Sequence, residues 1–215
     1  MPTAVIFDLD GCLVDSRAPY LSCVRYAFDK LGLPQRSDEE LLPYLGPPFV
    51  DGFSELLGVE RGAPVVLALI DAYRERYATA SLTETTVEPG IPEALGALGP
   101  PLAVATSKPR HFAAPLLEAM DLARHFDVIA GPELDHRGET KAETVARALA
   151  ELGTRDAVMV GDRMFDVIGA HANGIRCIGV TWGIGSLEEL LEAGADHIVD
   201  HPSELDRAVT VLAAA

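Results

Sequence analysis

Asp8 and Asp10 stand two residues apart, directly after the first short apolar run of the chain. Two carboxylates at the end of a buried strand lie close together and repel, so the pair needs a cation between them or a proton on one of them. Oxygen ligands favour a hard cation, and an open site favours Mg²⁺ that keeps several waters. Gly11 allows the backbone to turn tightly at this point. The alternative is a solvated turn at a strand end, which is the better interpretation of an isolated Asp-x-Asp-Gly.

A second acidic pair follows a later apolar run. Asp162 comes after the run that ends at Val160, and Asp166 lies one helical turn further on, on the same helix face. Asp162 is also well placed to cap the helix N-terminus, where a carboxylate is stabilised without any ligand. Because two strand ends both finish in acidic residues, we favour a shared cation site over two separate turns.

Hydroxyl groups and one lysine mark two further helix starts. Thr106 and Ser107 follow the second apolar run, where they either cap a helix or hold a phosphoryl oxygen together with backbone N–H groups. Lys141 stands at the head of the helix that begins near Thr140, where a cation is unfavourable with respect to the helix dipole. Its placement indicates an anionic partner, although a solvated surface lysine is the commoner case.

Short β-branched apolar runs predict the strands that position these residues. The runs cover Ala4–Phe7, Leu102–Ala105, Asp127–Ala130, Ala157–Val160, Cys177–Val180 and His197–Val199. From residue 100 onward they alternate with amphipathic helical stretches, which favours a parallel sheet covered by helices on both faces, with ligands at the carboxyl ends of its strands. Two of the predicted helices have capping-box starts, Thr140-x-x-Glu143 and Ser186-x-x-Glu189.

Residues 16–86 carry almost no strand pattern. Apolar residues recur at helical spacing from Leu21 to Leu31, a further helix is predicted after Ser37, and a longer one covers Ala63–Ala80. We therefore expect a helical domain inserted into an α/β core. The predicted domains are residues 1–15 and 87–215 for the core and residues 16–86 for the insert.

The composition excludes several classes of partner. The chain has 215 residues, with 17 Lys and Arg against 33 Asp and Glu and a formal net charge of −16, which suits neither nucleic acid nor anionic lipid. No apolar run approaches the ~20 residues of a membrane-spanning helix, and the chain start lacks the basic region of a signal peptide. Cys12, Cys23 and Cys177 fit neither a disulfide framework nor a zinc site. We expect a cytoplasmic protein that acts on a small molecule and contacts neither nucleic acid nor membrane.

The order of these residues along the chain resembles the four motifs of the haloacid dehalogenase superfamily. The matching residues are Asp8-x-Asp10-Gly11 for the first motif, Thr106 for the second, Lys141 for the third and Gly161-Asp162-x-x-x-Asp166 for the fourth. The resemblance spans the whole chain and is greatest to the phosphoglycolate phosphatase-like branch. It implies a Rossmann-like, doubly wound parallel sheet with an α-helical cap at residues 16–86. Cys12 departs from the family pattern, which has Thr or Val there, and we expect a change in packing rather than in chemistry.

The resemblance implies a phosphatase that forms a covalent aspartyl-phosphate. Asp8 is then the nucleophile, and Asp10 is the acid that protonates the leaving alcohol and the base that later activates water. Mg²⁺ is expected between Asp8, Asp162 and the backbone carbonyl of Asp10, where it offsets the repulsion between carboxylate and phosphate. Lys141 assists the ion, and Asp166 orients Lys141 or a water of the metal.

Phosphoryl oxygens are expected at the helix starts and at the turn after the first strand. The residues implied for phosphate binding are Gly11, Thr106, Ser107 and Lys141. The cap then closes over the site and contacts the rest of the substrate. Candidate contacts in the cap are Arg17, Tyr20, Gly46 and Arg74.

Asp10 separates the activities known in this superfamily. The dehalogenases lack this second aspartate because a halide needs no proton, and the phosphonatases use a cap lysine instead. Asp10 thus favours phosphate-ester chemistry. The resemblance to the phosphoglycolate phosphatase-like branch implies a small ester such as phosphoglycolate. We expect a monomer or a homodimer. The alternatives are a phosphomutase of the β-phosphoglucomutase type and a nucleotidase or pyrophosphatase of the same superfamily. A phosphoacceptor receiver domain is a weaker alternative, because receivers are shorter and have no helical insert after the first strand.

Overall fold

The computed structural model describes residues 4–99, 101–134 and 138–213. Its strands are β1 (Ala4–Phe7), β2 (Val14–Asp15), β3 (Thr86–Val87), β4 (Leu102–Ala105), β5 (Val128–Ala130), β6 (Ala157–Gly161), β7 (Arg176–Val180) and β8 (His197–Val199). Its α-helices are α1 (Arg17–Lys30), α2 (Asp38–Leu41), α3 (Phe49–Leu57), α4 (Pro64–Glu84), α5 (Ile91–Ala97), α6 (Arg110–Ala119), α7 (Lys141–Leu152), α8 (Met164–Ala172), α9 (Leu187–Glu192) and α10 (Leu205–Ala213). Short 3₁₀ turns cover Leu42–Tyr44, Ala123–His125 and Pro202–Glu204.

Six of the strands form one parallel sheet in the order β5-β4-β1-β6-β7-β8. Strand β1 pairs with β4 on one side and with β6 on the other, with Phe7 opposite both Val104 and Val160. The predicted strands and the parallel α/β class are confirmed, and each predicted strand differs from the observed one by no more than one residue at either end. The chain winds outward from β1 in both directions, which places a crevice for ligands at its carboxyl end.

The two faces of the sheet pack into separate apolar clusters. Successive side chains of a strand point to opposite faces, so Val5 and Phe7 join one cluster while Ala4 and Ile6 join the other. Helices α5, α6 and α10 contribute to the first cluster, and helices α7, α8 and α9 contribute to the second. Burial on both faces is the reason that the strands read as continuous apolar runs in the sequence.

Helices α1 to α4 enclose a third apolar cluster, in which α1 and α4 pack against each other. Tyr20, Phe28 and Phe53 are among its fully buried side chains. We use the name "cap" for residues 16–86, following the domain boundaries proposed from the sequence. Among the described helices, none carries an apolar stretch of the length needed to cross a lipid bilayer.

A second, two-stranded sheet joins the two places where the chain passes between core and cap. Strands β2 and β3 are antiparallel, with Val14 opposite Val87 and Asp15 opposite Thr86. This sheet is not predictable from the sequence, because strands of two residues show no periodicity. The pairing holds the start and the end of the cap side by side.

The two predicted capping boxes have different outcomes. Thr140 accepts the N–H of Glu143, and the Glu143 carboxylate accepts the N–H of Thr140, so this capping box is confirmed. Ser186 accepts the N–H of Glu189 in the same way. The Glu189 carboxylate instead binds Arg163, so the prediction of a reciprocal box is wrong here. A tertiary ion pair has taken the place of the local hydrogen bond.

Candidate active site

The carboxyl ends of three strands bring the predicted site residues to one edge of the sheet. Asp8 follows β1, Thr106 follows β4 and Asp162 follows β6. Lys141 is the first residue of α7, and Asp166 lies in the first turn of α8. The parallel sheet therefore gathers residues that are widely separated along the chain.

Asp8, Asp162 and Asp166 form a buried carboxylate cluster. One oxygen of each lies within 4.8 Å of the others, and the residues are 6 %, 0 % and 1 % exposed, respectively. Burial raises the pKa of Asp8 to about 6, and the charge of Asp166 adds to the rise. The charge of Lys141 lowers this pKa, but by less. Burial, followed by the charges of Asp166 and Asp8, raises the pKa of Asp162 well above its ordinary value. The cluster is therefore short of positive charge.

Lys141 supplies part of that charge. Its Nζ lies 2.6 Å from Oδ1 of Asp8 and 2.7 Å from Oδ1 of Asp166. Burial lowers the pKa of the Lys141 ammonium, but the charges of Asp166 and Asp8 raise it by more, so the net pKa shift is upward. One ammonium still leaves two of three ionised carboxylates uncompensated, which is the charge that a divalent cation balances.

Asp162 has one carboxylate oxygen without a donor. Its Oδ2 accepts the N–H of Ile184 at 2.7 Å, whereas Oδ1 is buried and has no hydrogen-bond partner among the described residues. A buried acceptor without a donor is costly unless another group satisfies it. Carboxylate oxygens are the ligands that Mg²⁺ prefers, so the donor set at Asp8 and Asp162 fits this ion.

The Asp10 carboxylate is not one of the three in this cluster, and it contacts Lys108. Nζ of Lys108 lies 2.5 Å from Oδ1 of Asp10 and 5.3 Å from the ring centroid of Tyr77, which belongs to the cap. Burial lowers the pKa of the Lys108 ammonium, but the charge of Asp10, followed by that of Tyr77, raises it by more, so the net pKa shift is upward. Lys108 is a site residue that was not predicted from the sequence. Its only signal was its position two residues after Thr106 at a strand end.

Neither Thr106 nor Ser107 caps helix α6, which has Pro109 at its N-cap and no side-chain cap hydrogen bond, and their role in phosphate binding stays a prediction. Oγ1 of Thr106 accepts the backbone N–H of Lys108 at 3.1 Å, which is a local turn contact. Both residues also line the cavity that contains Asp8 and Asp10. A hydroxyl that accepts at its oxygen still has its own hydrogen to donate, so the local contact leaves Thr106 able to bind a phosphoryl oxygen.

Gly11 and Cys12 shape the turn after β1. Gly11 has a φ of +86°, and a Cβ at this position would lie 2.3 Å from Oδ2 of Asp162, so glycine is required. Its N–H donates to the carbonyl of Val14, and the role of Gly11 in phosphate binding stays a prediction. Burial, followed by the charge of Asp162, raises the pKa of the Cys12 thiol well above its ordinary value. The thiol packs against the Val160 carbonyl, and its environment opposes a reactive thiolate.

A cavity lies between this edge of the sheet and the cap. Of the four candidate contacts predicted in the cap, Tyr20, Gly46 and Arg74 line the cavity. Arg17 is not among its described lining residues, because its guanidinium forms an ion pair with Asp15 at 2.7 Å. The cap thus contributes directly to the walls around the carboxylates.

Arg163 connects the core to the cap. Its Nη1 donates to the Leu45 carbonyl at 2.6 Å, and its Nε donates to Glu189 at 2.8 Å. Because Arg163 directly follows Asp162, the contact ties the cap to the carboxylate cluster. No sequence pattern pointed to this role, since Leu45 is 118 positions away along the chain.

Known proteins share both the sequence and the fold. The family model for haloacid dehalogenase-like hydrolases matches residues 5–180. A 5'-nucleotidase from Pseudomonas aeruginosa is 38 % identical over 191 residues, which covers 86 % of each chain. Phosphoglycolate phosphatase 1 from the same organism is 32 % identical over 219 residues, covering 95 % of this chain and 79 % of that one.

The crystal structure of a predicted phosphatase from Clostridium acetobutylicum is similar over the full length. Its TM-score is 0.92 at 37 % identity, and the match covers 99 % of this chain and 100 % of that chain. The motifs, the sheet order and these matches agree. The chain belongs to the haloacid dehalogenase-like hydrolase family.

Proposed function

We propose that this hydrolase is a magnesium-dependent phosphatase that cleaves a small phosphate monoester through an aspartyl-phosphate on Asp8. The observation that carries the proposal is the burial of Asp8 against Lys141 and two further carboxylates, Asp162 and Asp166. A carboxylate attacks a phosphate dianion only where positive charge offsets their repulsion. The site has one fixed cation and a donor set for a second.

Asp8 and Asp162 would hold the Mg²⁺, together with the backbone carbonyl of Asp10. The buried Oδ1 of Asp162, which lacks a donor, supports this assignment. When bound, the ion supplies positive charge beside the nucleophile and the phosphoryl oxygens. Asp166 is held in place by the N–H of Arg163 at 3.0 Å and by Lys141, which fits a positioning role.

In the first half-reaction, a carboxylate oxygen of Asp8 attacks phosphorus and the bond between phosphorus and the alcohol oxygen breaks. Asp10 donates a proton to that oxygen, so the alcohol leaves uncharged. Lys141, Thr106 and Ser107 donate hydrogen bonds to the phosphoryl oxygens as charge moves onto them. The product on the enzyme is an acyl phosphate of Asp8.

In the second half-reaction, Asp10 is ionised and accepts a proton from a water that attacks phosphorus. The bond between Asp8 and phosphorus breaks, inorganic phosphate leaves and the Asp8 carboxylate is restored. Lys108 would position the Asp10 carboxylate for this step, because its ammonium lies 2.5 Å from Oδ1 of Asp10.

The substrate first considered is a phosphoglycolate-like ester, since phosphoglycolate phosphatase 1 is among the relatives. A nucleotidase is supported by the name of another relative, and a pyrophosphatase remains an alternative of the same superfamily. A phosphomutase would return the phosphoryl group to a sugar. Steady release of inorganic phosphate without a bisphosphate activator distinguishes the phosphatase from the mutase. The three cysteines are buried and unpaired, which supports the cytoplasm as the proposed location.

The Asp8→Asn variant tests the proposal. We expect phosphate release from a generic aryl phosphate with Mg²⁺ to fall by roughly a thousandfold or more, because the amide cannot form the acyl phosphate. Asp10→Asn should slow both the formation and the hydrolysis of the acyl phosphate, measured by acid quench with a radiolabelled ester. Asp51→Asn is the matched control, since Asp51 is exposed and pairs with Arg61. Near-normal activity of Asp8→Asn would refute the nucleophile.

A further inference from the structure

Aromatic rings form much of the wall of the cavity. The rings that line it belong to Tyr20, Phe49, Tyr73, Tyr77 and Phe112. The centroid separations are 4.7 Å between Phe49 and Tyr73, 5.1 Å between Tyr73 and Tyr77, and 5.5 Å between Tyr77 and Phe112. These values lie in the range of direct ring contact. The rings form one continuous surface from helices α3 and α4 of the cap to helix α6 of the core.

The two ends of this aromatic surface keep ring area accessible. Phe49 and Phe112 are half-buried, while Tyr20, Tyr73 and Tyr77 are buried. The hydroxyl of Tyr20 donates to a backbone carbonyl of the cap, which fixes that ring as part of the scaffold. Phe49 from the cap and Phe112 from the core are therefore the rings with surface left to contact a substrate.

The carboxylates that line the cavity are paired with cations, and the rest of the wall is largely aromatic. Of the basic residues among its described lining, Lys108 is engaged by Asp10, and Arg74 donates to the Leu134 carbonyl at 3.2 Å. Glu139 adds another carboxylate to the lining, and this carboxylate forms an ion pair with Arg147. The carboxylate of phosphoglycolate would lose its water against the aromatic surface, and the Lys108 ammonium is already paired with Asp10.

We propose that the preferred leaving group is an uncharged alcohol that carries a planar aromatic group, which packs against Phe49 and Phe112. The nucleobase of a nucleoside 5'-monophosphate and the ring of a benzylic phosphate share this chemistry. The inference rests on the proposed phosphatase function and moves its substrate away from phosphoglycolate. Because stacking tolerates any base, the preference is for the presence of a ring and not for one base.

Two matched pairs of substrates separate the aromatic group from the chemistry of the leaving oxygen. Adenosine 5'-monophosphate and ribose 5-phosphate each release a primary alcohol and differ by the base. Benzyl phosphate and cyclohexylmethyl phosphate differ by the planarity of the ring. We expect kcat/KM to be about tenfold higher for the aromatic member of a pair, as base stacking on an aromatic side chain gives. A preference in the first pair alone identifies a nucleobase, and one in the second pair alone identifies a smaller arene.

The inference is overturned if neither pair differs by more than about threefold, or if 2-phosphoglycolate exceeds all four in kcat/KM. Those outcomes leave the proposed function intact, since the esters are still hydrolysed. Failure to hydrolyse any of the five esters with Mg²⁺ would instead contradict the proposed phosphatase.

Leucine variants test the two rings themselves. Phe49→Leu and Phe112→Leu keep an apolar side chain but remove the flat face, so the preferred pair should lose most of its tenfold ratio of kcat/KM. Phe126→Leu is the matched control, because Phe126 is a half-buried phenylalanine of the core that does not line the cavity. An unchanged ratio in both cavity variants would overturn the assignment. The two variants lie in different parts of the fold, so either one decides the question if the other does not fold.

Discussion

Nζ of Lys108 lies 2.5 Å from Oδ1 of Asp10, and the two side chains are only 7 % and 11 % exposed. This ion pair holds the second aspartate of the first motif at the wall of the cavity under the cap, which Asp8 also lines. The two aspartates of the first motif thus contact different lysines, Lys141 for Asp8 and Lys108 for Asp10. The charge of Asp10 still adds to the raised pKa of Asp8.

The first prediction concerns Lys108. Lys108→Met removes the ammonium that contacts the Asp10 carboxylate, the form in which Asp10 acts as the base, so hydrolysis of the acyl phosphate should slow more than its formation. We expect kcat to fall by roughly ten- to a hundredfold, within the range of general acid–base effects. The fraction of enzyme that carries covalent phosphate after acid quench should rise.

Lys30→Met is the control for Lys108, since Lys30 is an exposed lysine of the cap that pairs with Glu75. Its kcat and its steady-state level of phosphoenzyme should match the wild type. Unchanged kcat in Lys108→Met would mean that Asp10 acts without help from this ammonium.

The second prediction concerns the metal. Mg²⁺ added to the metal-free protein at about a hundred times its dissociation constant should raise the free energy of unfolding by about 2.7 kcal/mol. For a chain of this size that corresponds to a rise in Tm of about 5 °C or more. Asp162→Asn should lose most of this rise, whereas Asp51→Asn should keep it. EDTA should abolish phosphate release and Mg²⁺ should restore it. Full activity after exhaustive chelation would remove the metal from the proposal.

The third prediction concerns pH and stability. Burial raises the pKa of Asp8 to about 6 from an ordinary value of 3.8. A group with a raised folded-state pKa stabilises the fold at pH values below the unfolded pKa, and this contribution is lost as the pH rises through the folded pKa. In EDTA, the free energy of unfolding of the wild type relative to Asp8→Asn should fall by about 2 kcal/mol from about pH 4.5 to about pH 7.

Urea unfolding at several pH values measures this difference. Asp51→Asn, at an exposed position, should follow the wild type across the same range. A difference between Asp8→Asn and the wild type that is flat with pH would show that Asp8 is not desolvated in the folded protein.

The fourth prediction concerns the contact between cap and core. Arg163→Met leaves the Leu45 carbonyl without its donor and removes the ion pair with Glu189, so the cap is held less firmly over the cavity. We expect KM to rise several-fold, with a loss of about 1–3 kcal/mol in the free energy of unfolding.

Arg176→Met is the matched control for this contact. Arg176 also donates to a backbone carbonyl, that of Leu212, at 2.7 Å, but it lies in β7 at the other end of the core. Arg176→Met should lower the free energy of unfolding by a similar amount, while KM stays at the wild-type value. An equal rise of KM in both variants would show that the effect of Arg163 is only a loss of stability.

Much of the fold could be predicted from the sequence because its signals are local. The strands of the main sheet are short, largely apolar runs. They are continuous and not alternating, because both faces of the sheet are buried. The capping box at the start of helix α7 was predicted for the same reason, since Thr140 and Glu143 lie within one helical turn. The small sheet of β2 and β3 was missed because two-residue strands carry no pattern.

The candidate site divides in the same way. The sequence by itself determined that Asp8, Thr106 and Asp162 follow strands, because each comes directly after or close to the end of an apolar run. It also determined that they share one edge, because a parallel sheet places the carboxyl ends of its strands together. Only the tertiary structure decided which cation each carboxylate contacts: Lys108 reaches Asp10 across 98 positions of the chain. Such partners depend on how helices and loops pack after the sheet has formed. Their side chains carry no periodic signal, so residue type and spacing cannot determine them.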